Sequence, residues 1–345
     1  MRHEHEPKQR KHTVRNVILT VILVLLVSVG AYAARKYYNI KHAVDNTYQS
    51  AGIKKNRNAN AVIQAKSPIS ILIMGTDTGA LGRSYKGRTD TMMLITLNPK
   101  KDKTTITSIP RDTGITIPGY ESESPSKINA AYAFGSSGTA IKTVQEMLNV
   151  PIDFYAVMNM GGMEKVVNAV GGVTITPTLS FSYDGYTFTK GQSTKMNGKK
   201  ALAYSRMRYS DPDGDYGRQT RQREVIMAIM SKAGSISSLL NKDFLDSVSS
   251  QMKTDLTFSD LSAIAQNYLG ARKSVSQTHL QGTGQTVNGQ SMELMAKSEL
   301  QRVTNLNRKN LGLDHATTGN IALSVSDASS SSDSSVQSAN VNAGN

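Results

Sequence analysis

Ile69-Ser70-Ile71-Leu72-Ile73-Met74-Gly75-Thr76-Asp77 alternates and then runs apolar, as a buried strand does, and stops at a glycine and a carboxylate. A glycine-bearing loop leads to Lys86-Gly87-Arg88-Thr89-Asp90, and a second apolar run, Met92 to Leu97, follows. Asn98-Pro99-Lys100-Lys101-Asp102 makes a turn, and Thr104 to Ile109 reads as a third strand ending in Pro110-Arg111-Asp112-Thr113. Aspartates and arginines therefore stand at strand ends, where α/β proteins build their sites. Asp77 and Asp90 on neighbouring strand ends suit a hard cation, since Mg²⁺ is held by one or two carboxylates plus substrate phosphates. Taken singly, both are better read as turn or cap residues; beside a pyrophosphate site the metal reading is the better one.

Outward from these strands, residues 138–148 carry a helical pattern with Ile141, Val144, Met147 and Leu148 on one face, and 162–170 read as another helix. Asp153 to Met158 and Val173 to Ile175 read as strands, and Phe181 to Thr189, centred on Asp184-Gly185, as a hairpin. Ser259 is expected to cap a helix to Leu269, and Ser291 to Leu306 to form the last helix. Strands interleaved with helices predict an α/β fold, a mixed central sheet sandwiched between helices. The hairpin-like connections at Asn98-Pro99 and Asp184-Gly185 exclude a wholly parallel sheet.

A second run, Ser205-Arg206-Met207-Arg208 through Asp211-Pro212-Asp213-Gly214-Asp215 to Gly217-Arg218-Gln219-Thr220-Arg221-Gln222-Arg223, carries five arginines and three aspartates. A guanidinium offers a planar fork of donors that matches two phosphate oxygens at once. With Met207 extended, Arg206 and Arg208 project to the same side. Arg218 and Gln222, four apart, share one face of the helix that follows, and its N-terminus adds free N–H groups. The run reads as a site for a doubly charged anion such as pyrophosphate, or as a solvated basic surface neutralised by its aspartates.

Gly-Thr-Asp after the first strand, Gly-Arg-Thr-Asp before the second and Ser108-Ile109-Pro110-Arg111-Asp112 resemble the LytR-CpsA-Psr family of cell-wall proteins. So do Lys127-Ile128-Asn129-Ala130-Ala131-Tyr132, Gly198 to Arg208, and Gly214-Asp215 through Arg218 to Gln222, in the family's order over about 68 to 235. The resemblance implies the same mixed α-β-α architecture. It implies Mg²⁺, with Mn²⁺ as substitute, on Asp77 and Asp90. Catalytic roles fall on Arg111, Arg206, Arg208 and Asp215, and substrate binding on Arg88, Arg218 and Gln222. It implies a phosphotransferase that moves an anionic glycopolymer (a teichoic acid or a capsular-type polysaccharide) from a polyprenyl-pyrophosphate carrier to peptidoglycan and releases polyprenyl phosphate. A polyprenyl-phosphate-binding regulator of envelope genes and a lipid pyrophosphatase need the same arginines.

No histidine lies near these blocks, so any general base would be an aspartate, Asp215 or Asp112; Asp215 is as well suited to capping the helix or orienting Arg208, and Asp112 is better suited still to a structural role. Lys127, Asn129 and Tyr132 read first as residues that support the site or pack beneath it, and one of them could instead orient an acceptor sugar. The lipid chain is expected in an apolar gap between Val225, Ile226, Ile229 and Met230 on one helix and Met163, Val166, Val167 and Val170 on another, unless both faces simply pack on the sheet.

The remaining chain sets the context. The 345 residues carry a formal net charge of +14 and no cysteine, which removes disulfide and thiol chemistry. The charge invites a nucleic-acid reading, but no nucleic-acid motif accompanies it; a polyanionic polymer and an anionic membrane suit its distribution better. Residues 1–16 form a basic arm, expected to be cytoplasmic. Val17 to Ala34 is uncharged and mostly apolar, spanning about 27 Å at ~1.5 Å per residue, enough for a single transmembrane signal anchor with the N-terminus inside. Ala31-Tyr32-Ala33 has the form of a cleavage site, which leaves removal of the segment as the rival. Residues 35–67 read as a polar, partly helical stalk, 68–313 as the extracellular catalytic domain, and 314–345 as a disordered Ser/Asn/Asp-rich tail.

Overall fold

The computed structural model describes residues 34–77, 87–232 and 251–324, together with Ser28, Ala31, Tyr32 and Ser249. The expected arm and nearly all of the expected anchor lie outside these residues, as does the chain beyond 324. Among the described residues no helix is long and apolar enough to cross a membrane.

Helix α1 (34–45) and α2 (Ala59–Gln64) precede the first three strands, β1 (Ile69–Thr76), β2 (Thr89–Asn98) and β3 (Lys103–Ser108). The short pair β4 (Gly114–Ile115) and β5 (Ser126–Lys127) leads to α3 (Ala130–Leu148), β6 (Phe154–Asn159) and α4 (Met160–Ala169). A smaller layer holds β7 (Val173–Ile175), β8 (Phe181–Tyr183), β9 (Tyr186–Phe188), β10 (Thr194–Met196), α5 (Gly198–Arg206) and α6 (Gly214–Lys232). The chain closes with β11 (Met252–Thr254), α7 (Phe258–Asn267), β12 (Ser274–His279), β13 (Gly282–Val287), β14 (Gln290–Met295) and α8 (Lys297–Leu311).

The central sheet runs β11-β6-β1-β2-β3-β12. β1–β2, β2–β3 and β6–β11 are antiparallel, whereas β1–β6 and β3–β12 are parallel, so the sheet is mixed as expected. Period-two alternation divides β1 and β2 between the faces. Leu72, Met74, Met92 and Leu94 pack with Ile141, Val144 and Met147 of α3 and Leu300 and Val303 of α8. On the opposite face Met93, Ile95 and Ile106 meet Ile226, Met227 and Met230 of α6, and Ile69, Ile71 and Phe154 meet α2 and α7. Helices cover both faces.

The expected stalk is folded against this domain. Ala43 and Val44 of α1 are buried beside Phe258 and Leu261, Gln49 N–H donates to Thr254 O at 2.7 Å, and Arg57 Nε donates to Asp153 Oδ1 at 2.6 Å. Part of the expected disordered tail is ordered as well: Thr116 N–H donates to Ile321 O at 2.8 Å, and Leu323 N–H to Gly114 O at 2.9 Å. Those backbone bonds add residues 321–323 to the β4 edge, which side-chain composition does not reveal.

Two helix expectations are corrected. Thr257, not Ser259, caps α7, in a reciprocal box with Asp260. Residues 291–295 form β14 rather than the start of the last helix, because Met292 and Leu294 alternate inward against the core and Asn288-Gly289 (φ 50° and 72°) turns β13 back onto it. Asp184-Gly185, at φ 50° and 77°, makes the equivalent turn between β8 and β9.

Candidate active site

The site begins with a defect in the sheet. Gly75 pairs with Thr91 and Thr76 with Thr89, so Asp90 has no partner across the ladder and forms a β-bulge. The bulge frees the Asp90 backbone carbonyl, which accepts from Arg218 Nη2 at 3.1 Å, and its carboxylate accepts from Arg111 Nη1. Arg111 follows β3, the next strand over. Adjacent strand ends thus supply the opposing charges.

Asp77, Gly87, Arg88, Asp90, Arg111, Asp112, Lys127 and Asn129 line a cleft of about 470 Å³ at this end of the sheet. Lys127 Nζ lies 2.9 Å from Asp112 Oδ1. Asn129 occupies the N-cap position of α3 yet makes no side-chain cap, and its Oδ1 is buried without a donor. Lys127 and Asn129, read from sequence first as supporting or packing residues, are therefore part of the cleft wall. An asparagine at a helix start is usually a cap; only the structure shows this one turned away.

Asp215, in the first turn of α6, connects the second half of the site. Its Oδ1 lies 2.7 Å from Arg218 Nη2, 3.6 Å from Arg208 Nε and 3.9 Å from Arg111 Nε, and its Oδ2 accepts from Gln219 Nε2 at 3.1 Å. One carboxylate so orients three of the arginines expected to bind phosphate. Burial opposes the Arg111 charge, but Asp90, then Asp215 and Asp112, outweigh it and lift its pKa above the ordinary value. Arg218, deeper in the protein, is pushed down by burial, with Asp215 acting against the shift. Both stay protonated, as guanidinium does in proteins.

Arg206 and Arg208 are placed differently from the extended-strand expectation. Arg206 is the last residue of α5, whose first turn is capped by Asn197 Oδ1 accepting from Lys200 N–H at 3.0 Å. Met207 leaves the helix at φ −55° and ψ 135° and is buried, so the two arginines flank an anchored residue at a helix end. The segment is clasped to α6: Arg221 pairs with the Asp211 carboxylate and donates to Met207 O and Tyr204 O. Gly217 makes the clasp possible, since a Cβ there would lie 2.0 Å from Asp211 Oδ2.

Of the expected residues, Asp77, Arg88, Asp90 and Arg111 share the cleft, and Arg208, Asp215 and Arg218 join it through the ion pairs above. Arg206 makes no ion pair with this network among the described residues. Gln222 stands one turn beyond Arg218, its Oε1 buried without a donor. The arrangement can hold a polyanion: cationic forks are fixed by one carboxylate from the sheet, Asp90, and one from α6, Asp215.

A mixed sheet carrying this constellation at the ends of β1, β2 and β3 defines a class. The model of the LytR_cpsA_psr family matches residues 31–309, and the chain belongs to that family. The polyisoprenyl-teichoic acid–peptidoglycan teichoic acid transferase TagU of Enterococcus faecalis is 43% identical over 288 residues, 83% of this chain and 93% of its own. Among solved structures, protein gbs0355 of Streptococcus agalactiae is 36% identical, with a TM-score of 0.70 over 80% of this chain and 98% of that one. TagT bound to LIIa-WTA is 28% identical, with a TM-score of 0.63 over 77% of this chain and 99% of that one.

Proposed function

We propose that the protein is a phosphotransferase that moves a teichoic acid or related anionic glycopolymer from a polyprenyl-pyrophosphate carrier to a peptidoglycan hydroxyl. The observation that carries this reading is the Asp90–Arg111–Asp215–Arg208–Arg218 network, in a chain 43% identical to a named teichoic acid transferase. The acceptor oxygen attacks the glycan-side phosphorus, and the bridging P–O bond breaks with its electron pair leaving on polyprenyl phosphate. Phosphoryl transfer asks the protein mainly for position and charge neutralisation. Arg111, Arg208 and Arg218 are already aimed by Asp215. With its Oδ1 committed to arginines, Asp215 acts here as the group that holds them rather than as the proton acceptor. Asp112, beside Lys127 in the cleft, is the better placed carboxylate for the hydroxyl proton.

Asp77 and Asp90 fit a Mg²⁺ ion shared with substrate. Both line the cleft, and Arg111 engages only Oδ1 of Asp90. Mg²⁺ held by one or two carboxylates takes the rest of its shell from substrate phosphates and water. Such an ion would supply charge neutralisation on the pyrophosphate.

The lipid is assigned to the layer between α6 and the sheet. The α6 residues divide: Val225 and Ile229 pack with Val167, Val173 and Tyr204, whereas Ile226 and Met230 lie half-buried against Met93, Ile95 and Ile106. Ile226→Trp is expected to block a long-chain carrier while sparing a short-chain pyrophosphate analogue. Equal loss for both, tracking a fall in Tm, would return the layer to ordinary core. Residues 17–34 are assigned as the membrane anchor, with the catalytic domain outside; protease added to intact cells then digests that domain and leaves the 1–16 arm.

The deciding experiment incubates the full chain with lipid-pyrophosphate glycopolymer, peptidoglycan oligomers and Mg²⁺, and weighs the products. Ligated peptidoglycan is expected. Free phosphate-ended glycan would indicate a hydrolase, and unchanged substrate a regulator.

A further inference from the structure

Three arginines of α6 are almost wholly withdrawn from water: Arg218 is 7% exposed, Arg221 3% and Arg223 5%. Two are neutralised where they lie, Arg218 by Asp215 and Arg221 by Asp211. Arg223 is not. Its Nη1 donates to Ser108 Oγ at 2.8 Å and its Nη2 to Thr220 Oγ1 at 2.9 Å, and its Nε is buried with no acceptor. Among the described residues no carboxylate pairs with it, and that of the adjoining Glu224 accepts from Tyr204 OH at 2.6 Å. A guanidinium does not shed its proton in such a place. A full positive charge therefore sits nearly dry, held by two hydroxyl dipoles, with Glu224 a nearby charge that makes no ion pair with it. Left uncompensated, a buried charge costs several kcal/mol.

Its position suggests what compensates it. Ser108 ends β3, three residues before Arg111 of the cleft, on the sheet face of Ile106. Along α6, Arg223 stands about 7.5 Å beyond Arg218 at ~1.5 Å per residue, and Ile226 and Met230 follow it. The order from the cleft inward is thus a paired cation, an unpaired cation and then hydrocarbon. An amphiphile with a diphosphate head and an apolar chain has the complementary order.

Resting on the function proposed above, we propose that Arg223 is a further phosphate-binding residue, which takes an oxygen of the carrier's lipid-side phosphate from the sheet side of α6. That phosphate gains a negative charge when the bridging P–O bond breaks, so the stabilisation grows as the leaving group departs. Arg221 does not share the role, because its charge is already spent.

The test is Arg223→Met in the full chain, which keeps length and removes charge. Replacing a buried charge by an apolar side chain of similar volume is often neutral or stabilising. The variant is therefore expected to melt no lower than the wild type, to lose the rise in Tm that inorganic pyrophosphate with Mg²⁺ gives the wild type, and to transfer about 10²-fold more slowly. An unchanged pyrophosphate shift and rate would overturn the proposal. So would a variant that melts well below the wild type or fails to fold, since the charge would then serve the fold, and so would a wild type that shows no pyrophosphate shift. The transferase reading fails separately. A wild type that forms no ligated product but keeps an Arg223-dependent pyrophosphate shift would leave the anion site standing without it.

Discussion

Lysine at position 206 or 208 is expected to lower transfer about 10²–10³-fold while the melting temperature stays near that of the wild type. Lysine keeps the charge of arginine and gives up the planar fork that grips two oxygens. Arg208 has its Nε turned toward Asp215 at 3.6 Å, which sets the direction of the remaining donors; a lysine ammonium has no second edge to offer. Arg206 ends α5, beside a buried Met207 that fixes where the side chain starts. Steady-state kinetics on Arg206→Lys and Arg208→Lys checks this. Near-normal turnover in both would make them surface cations.

Removal of divalent metal is expected to have an effect as large. A chelator should abolish transfer, with recovery on adding Mg²⁺ or Mn²⁺. Asp77→Asn or Asp90→Asn should raise the Mg²⁺ concentration needed for half-maximal rate by at least the roughly 10–100-fold that loss of an outer-shell partner costs. The two variants will differ in one respect. Asp90 also holds Arg111, so its asparagine disturbs a guanidinium as well as a proposed metal ligand. Asp77→Asn is the cleaner measure. If chelator leaves the rate intact while the arginine variants are dead, Asp77 and Asp90 serve the structure instead.

The three strands and the charges at their ends were legible because β1 and β2 are buried on both faces and read as apolar runs. The hairpin at Asp184-Gly185 was legible from its turn residues, and the same signal at Asn288-Gly289 went unused: Met, Glu and Leu between 292 and 295 favour helix, and pairing with β13 overrode them. Helix α5 was hidden in a motif read for its arginines, although Asn197 announces its start. The Asp90 bulge has no local signature, since it arises from a register shift against β1 that only pairing defines. The convergence of Arg111, Arg208 and Arg218 on Asp215 was equally out of reach, because those residues span more than a hundred positions and meet through the sheet. The ordered segment 314–324 was misread for a related reason: its stabilising bonds run through its backbone, about which side-chain composition is silent.

The clasp of Arg221 on Asp211 and the carbonyls of Tyr204 and Met207 bears on a question of supply. Ordering an interfacial side chain during binding costs about 0.5–1.5 kcal/mol each. Here the link carrying Arg206 and Arg208 is fastened before any ligand arrives, so that cost falls on folding, once per molecule, and not on each encounter. For the lipid-linked donor proposed above, the gain is in affinity. A protein whose grip is ready in advance can capture it at low abundance and let go of the spent carrier without refolding a loop.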